Sequence, residues 1–157
     1  MSQPLTFMMG EFAAEIPTDR FYAKNHMWAE RREEGYRFGF GAYAVRLLQD
    51  VYFLDWTVDA PVKLTTSQMM GSIESKKAES DLFAPITGTL VEFNDALMDD
   101  PSAINLDKYG QGWLFFIQAE AETEPASIGL LEPQQYLEHL ADVWEVTQRT
   151  IKGQING

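Results

Sequence analysis

Glu74-Ser75-Lys76-Lys77-Ala78-Glu79-Ser80-Asp81 is a charged island between two short apolar runs. Met69, Met70, Gly71 and Ile73 come before it, and Leu82, Phe83, Ala84 and Ile86 follow. Apolar segments that bracket a polar tip are the pattern of a β-hairpin whose end stands in water. The stretch predicts strands over residues 69–74 and 80–84, with Lys77 presented near the apex. A lysine there combines a long flexible stem with a compact ammonium head and has little to bury. It is better suited to acylation by another enzyme than to packing.

Further strands read outward from this hairpin. Residues 36–41 alternate aromatic and small side chains, and residues 51–56, 88–94 and 112–118 also have strand composition. Pro85 and Gly88 bracket a turn, since proline gives nothing to a ladder and glycine tolerates turn conformations. Residues 42–49 are helical, with Tyr43, Leu47 and Leu48 on one face. Short strands divided by turn residues predict a mostly β fold with peripheral helices, two small antiparallel sheets packed face to face with the lysine tip at one end. Asp95, Asp99, Asp100 and Pro101 mark short capped helical turns rather than a metal site.

From Pro133 the chain is an amphipathic helix. Tyr136, Leu137, Leu140, Val143, Trp144, Thr147 and Ile151 fall on one stripe, and Glu138, Asp142, Glu145 and Arg149 lie opposite. Lys152 and Gly153 suit its end. The stripe is expected to pack on the body of the protein, as is the apolar run Leu5 to Ala14. The organisation expected is an N-terminal extension over 1–20, a main domain over 21–131 and a C-terminal helix over 132–157.

The 157 residues suffice for one domain that buries roughly 70% of the surface its unfolded chain exposes. There is no cysteine, which excludes disulfides, thiolate metal ligands and a cysteine nucleophile. Any redox-active sulfur of the thiol kind must come from an attached group. The 24 acidic against 12 basic side chains give a formal charge of −12, which repels nucleic acid and anionic membranes and fits basic rims on protein partners. No apolar span is long enough for a bilayer, and the N-terminus lacks a basic region leading into an apolar core, so a cytoplasmic protein is expected. A monomer is expected as well.

Catalytic groups are not evident. An ordinary lysine amine is protonated at neutral pH and a poor nucleophile unless buried. Glu74, Glu79 and Asp81 flank the tip, where they either orient the lysine for a ligase or keep a hairpin end soluble. His26 and Trp28 read as packing residues, and His26 with His139 makes too small a set for a metal. Gly39-Phe40-Gly41 lacks the third glycine of a dinucleotide loop, and no Gly-x-Ser-x-Gly turn occurs.

Glu74-Ser75-Lys76-Lys77-Ala78-Glu79-Ser80-Asp81, followed by Ala84-Pro85-Ile86-Thr87-Gly88, resembles the lipoyl-attachment hairpin of the glycine cleavage system H protein family. Asn25-His26-Met27-Trp28, Gly39 to Ala44, Asp50 to Phe53, Val91 to Leu97, Ile104-Asn105 and Tyr109 to Leu114 resemble further blocks of that family, in family order. The resemblance spans about Tyr22 to Leu140 and implies the lipoyl-domain flattened barrel, a barrel-sandwich hybrid. It also implies lipoate bound covalently to Lys77, with Glu74, Ser75, Glu79 and Asp81 as the attachment-loop recognition residues. The implied partners are glycine decarboxylase, aminomethyltransferase, dihydrolipoyl dehydrogenase and a lipoate-attaching enzyme. The chain itself would be a carrier subunit without catalysis of its own.

Two departures stand out. Gln49 occupies a position where the family commonly has glycine, which predicts a different corner before Asp50, and Lys76 replaces a usually apolar residue. A lipoyl carrier or lipoate relay for another redox pathway, and an unmodified acidic interaction module, remain open alternatives. Biotin carriage fits poorly because Lys77 is flanked by Lys76 and Ala78 rather than methionines, and the strand-like surroundings of Ser75 and Ser80 do not suit phosphopantetheine.

Overall fold

The computed structural model describes residues 3–119 and 124–156, with 149–156 described by their backbone. The N-terminal apolar run is a hairpin of β1 (Leu5–Met9) and β2 (Phe12–Ile16), with Leu5 opposite Ile16. Gly10 makes its turn at φ 65°, where a side chain would be strained. Next come β3 (Phe21–Tyr22), β4 (Met27–Arg32), β5 (Gly35–Phe40), α1 (Ala42–Leu48), β6 (Val51–Trp56), β7 (Val62–Leu64), β8 (Met69–Ser75) and β9 (Glu79–Phe83). They are followed by β10 (Gly88–Phe93), α2 (Ala96–Asp99), α3 (Ala103–Leu106), β11 (Phe115–Gln118), a 3-10 turn over Pro125–Ile128, and α4 (Pro133–Asn156).

All strand pairs are antiparallel. One sheet runs β3-β4-β5-β11-β10-β7 and a second runs β6-β8-β9, and together they form a flattened barrel that does not close. Alternating residues of both sheets meet in the core, among them Phe38, Leu90, Phe115 and Ile117 from the larger and Leu54, Met70, Ile73 and Leu82 from the smaller. Trp56 couples the two sheets, stacking on Phe93 at 4.6 Å and meeting Phe115 edge-on at 5.7 Å. Gly39 is required by packing: a Cβ there would lie 2.5 Å from the Trp28 ring.

A second cluster sits outside the barrel. Met9, Ala14 and Ile16 of the N-terminal hairpin pack with Trp28, Tyr43, Tyr136 and Leu140, and Tyr22 stacks on Tyr136 at 4.5 Å. The stripe on α4 therefore faces the protein, and Trp144 meets Tyr43 edge-on. Arg20, itself nearly buried, lies 4.9 Å over Trp28 and 5.2 Å over Tyr109 and donates to the Tyr109 carbonyl at 3.0 Å.

Several boundaries differ from the sequence reading. β11 begins at Phe115 rather than Gly112, because the Asn94 amide donates to the carbonyls of Gln111 (2.9 Å) and Trp113 (2.8 Å) and holds that stretch as a loop. The helical turns α2 and α3 exist, but Asp95 does not cap one. Asp95 is itself helical, and backbone bonds from Leu97 to Asn94 and Met98 to Asp95 close the turn. Asp100 instead accepts from the Ser102 amide at 3.0 Å. α4 begins at Pro133 as expected but continues through Gly153 to Asn156, since an internal glycine costs only about 1 kcal/mol. The side chains of Arg149, Ile151 and Lys152 lie outside the described residues.

Candidate functional site

β8 and β9 form the expected hairpin, with Glu74 opposite Glu79, Ile73 opposite Ser80 and Ser72 opposite Asp81. Ser75 fastens its tip. The Ser75 amide donates to the Ala78 carbonyl at 2.9 Å, its hydroxyl donates to the same carbonyl at 3.0 Å, and the Ala78 amide donates back to the hydroxyl at 3.2 Å. Ser75 is consequently buried, whereas Lys76, Lys77, Glu79 and Asp81 are exposed and Glu74 is half-buried. Among the described residues no ion pair engages Lys77.

The tip is not a loose end. The Lys76 amide donates to the Asp50 carbonyl at 2.8 Å, and the Lys77 amide donates to the Leu48 carbonyl at 3.3 Å. These acceptors belong to the corner between α1 and β6, where Gln49 has φ 59° and ψ −141°. Gln49 therefore holds the positive-φ backbone that glycine favours, and this corner directly underlies the presented lysine. Neither Leu48 nor Asp50 was identifiable as a tip residue, because contacts across more than 25 positions leave no local pattern.

Beside the hairpin lies a groove of about 270 Å³, walled by Ala44 and Leu47 of α1, Ile73 of β8 and Leu82 and Phe83 of β9. His26 and Met27 also line it. His26 is half-buried at φ 73°, with Nδ1 3.0 Å from the Tyr136 hydroxyl and its ring 4.6 Å from Tyr43 and 5.8 Å from His139. Burial, and secondarily the like charge of His139, pushes its pKa down to about 4. At neutral pH the groove therefore meets an uncharged imidazole. His26 packs as expected while also lining the groove, and Trp28 is a core residue whose indole donates to the Lys108 carbonyl at 2.8 Å. Among the described residues no three His, Cys, Asp or Glu side chains converge on a metal position. No helix among them is long and apolar enough to cross a membrane.

An open, flattened barrel of antiparallel strands lifting a lysine on a hairpin is the lipoyl-domain class of fold. The family model described as Glycine cleavage H-protein matches residues 20–143. A glycine cleavage system H protein of Mycolicibacterium vanbaalenii is 37% identical over 131 residues, covering 82% of this chain and 99% of that relative. One from Cronobacter sakazakii is also 37% identical, over 82% of this chain and 98% of its own length. The crystal structure of a glycine cleavage system H protein from Mycobacterium marinum superposes with a TM-score of 0.66 at 33% identity, over 81% of this chain and 98% of that one. The chain belongs to the glycine cleavage H-protein family.

Proposed function

We propose that the protein is a lipoyl carrier of the glycine cleavage system, with lipoate joined to Lys77 Nζ through an amide. The observation that carries this reading is an exposed lysine on a hairpin tip tied down by Ser75 and by the corner carbonyls of Leu48 and Asp50. Lys77 would hold the group, which would supply a redox-active dithiolane able to carry an aminomethyl unit among glycine decarboxylase, aminomethyltransferase and dihydrolipoyl dehydrogenase. The chain supplies position and surface. The apolar wall of Ala44, Leu47, Leu82 and Phe83 beside the tip fits the hydrocarbon part of such an arm, and neutral His26 adds no charge that would oppose it.

Glu74, Glu79 and Asp81 around the tip supply acidic handles for the lipoate-attaching enzyme, and Ser75 shapes the turn it reads. The formal charge of −12 favours weak, rapidly formed complexes with basic rims on successive partners. In this reading residues 21–131 are the carrier body, flanked by 1–20 and 132–157, and the protein acts as a cytoplasmic monomer that turns over no substrate itself.

Intact mass of protein made in a lipoylation-competent host tests the assignment. One lipoyl increment that Lys77→Ala abolishes is the expected result. An unchanged mass, or an increment that persists in Lys77→Ala, would refute it, the second moving the site to another lysine. Lipoylated protein that fails to support glycine-dependent carbon dioxide exchange with glycine decarboxylase would assign the carrier to another lipoyl-dependent pathway.

A further inference from the structure

The tip is fixed by a corner, and the corner is fixed from a third element. Asn105, in α3, reaches both sides of Gln49: its Oδ1 accepts from the Val51 amide at 2.9 Å, and its Nδ2 donates to the Gln49 carbonyl at 2.6 Å. Gln49 has a positive φ unfavourable for any residue with a side chain, so the corner needs outside support to hold its shape. That shape aims the Leu48 and Asp50 carbonyls at the Lys77 and Lys76 amides. We propose that Asn105 is a positioning residue for Lys77, setting through the corner at Gln49 where the modified amine stands.

The proposal rests on the carrier reading for its functional consequence, though its geometric content is independent of it. A primary amide suits the task because it donates on one side and accepts on the other. Alanine at this position removes both bonds. Aspartate keeps the acceptor for Val51 but sets an oxygen against the Gln49 carbonyl. The lysine would still be exposed in either variant, but it would sample more positions, and imprecise delivery of a reacting group slows chemistry more than it weakens docking.

The test compares the full-length wild type with Asn105→Ala, Asn105→Asp and Ile16→Val. The last is a mild packing loss in the N-terminal hairpin, whose Ile16 belongs to the outer cluster and not to the barrel core that holds Ile73 and Leu82. Amide exchange by NMR should be about tenfold faster at Lys76 and Lys77 in both Asn105 variants and unchanged there in Ile16→Val. With a lipoate-attaching enzyme, ATP and lipoate, both Asn105 variants should lose about tenfold in lipoylation, mainly in kcat rather than in KM for the carrier. Unchanged exchange at both lysines, or equal losses in Ile16→Val, would overturn the proposal. Wild type that accepts no lipoyl group would instead sink the carrier reading, and exchange alone would then decide whether Asn105 fixes the tip.

Discussion

Replacing Gln49 with glycine should stabilise the protein. Gln49 is held at φ 59° and ψ −141°, a region populated almost entirely by glycine. Such strain costs about 1–3 kcal/mol, whereas glycine adds about 0.5–1 kcal/mol of unfolded-state entropy. The side chain offsets none of this through hydrogen bonds, since the bonds that hold the corner use the Gln49 backbone: its amide donates to Val45 and its carbonyl accepts from Asn105. The net expectation is a gain of about 1 kcal/mol, which for a chain of this size raises Tm by about 3 °C. Urea denaturation should show a higher midpoint with an unchanged slope, so that the gain reflects stability and not a change in the unfolded ensemble. Gln49→Ala is the control, because alanine carries the same Cβ into the same conformation and should gain nothing. A Gln49→Gly variant no more stable than Gln49→Ala would refute the strain argument.

Three further outcomes follow from the packing. His26 titrates at about 4 in the fold against about 6.5 unfolded, so between those values the unfolded chain binds the extra proton and stability falls as pH drops from about 6.5 to 4, by on the order of 2–3 kcal/mol. NMR titration of the imidazole checks this, and an ordinary pKa near 6.5 would contradict it. Gly39→Ala drives a Cβ into the Trp28 ring and should cost about 2–3 kcal/mol in urea denaturation, with a loss below 0.5 kcal/mol as the contrary result. Leu140→Ala, fully buried on α4, should cost about 2–5 kcal/mol, whereas a helix merely resting on the surface would lose almost nothing.

The presenting hairpin was legible because its signals are local: apolar runs of strand length around a charged tip, and β6 matched residues 51–56 at both ends for the same reason. β4 was not legible. Its second half, Glu30-Arg31-Arg32, runs beyond the two-residue β3 and is bordered on one side only, so charged side chains are tolerated where alternation would otherwise mark a strand. The sequence marks the N-terminal hairpin only as a packed segment, since Phe7-Met8-Met9-Gly10 lacks strict alternation and its partner strand contains two alanines. The lysine could be read from composition, but its support could not. The links from Lys76 to Asp50, from Gln49 to Asn105 and from His26 to His139 join residues far apart in the chain, and only the fold brings them together.

β1 packs directly on α4, and both cover the aromatic cluster around Tyr43 and Tyr136. The first and last segments are therefore mutually dependent. Trimming either end would leave the opposite one with a wet apolar face of the kind that recruits neighbouring molecules. Shortened versions of this chain should thus fail first through self-association, while the hairpin bearing Lys77, built on a separate core, keeps its shape.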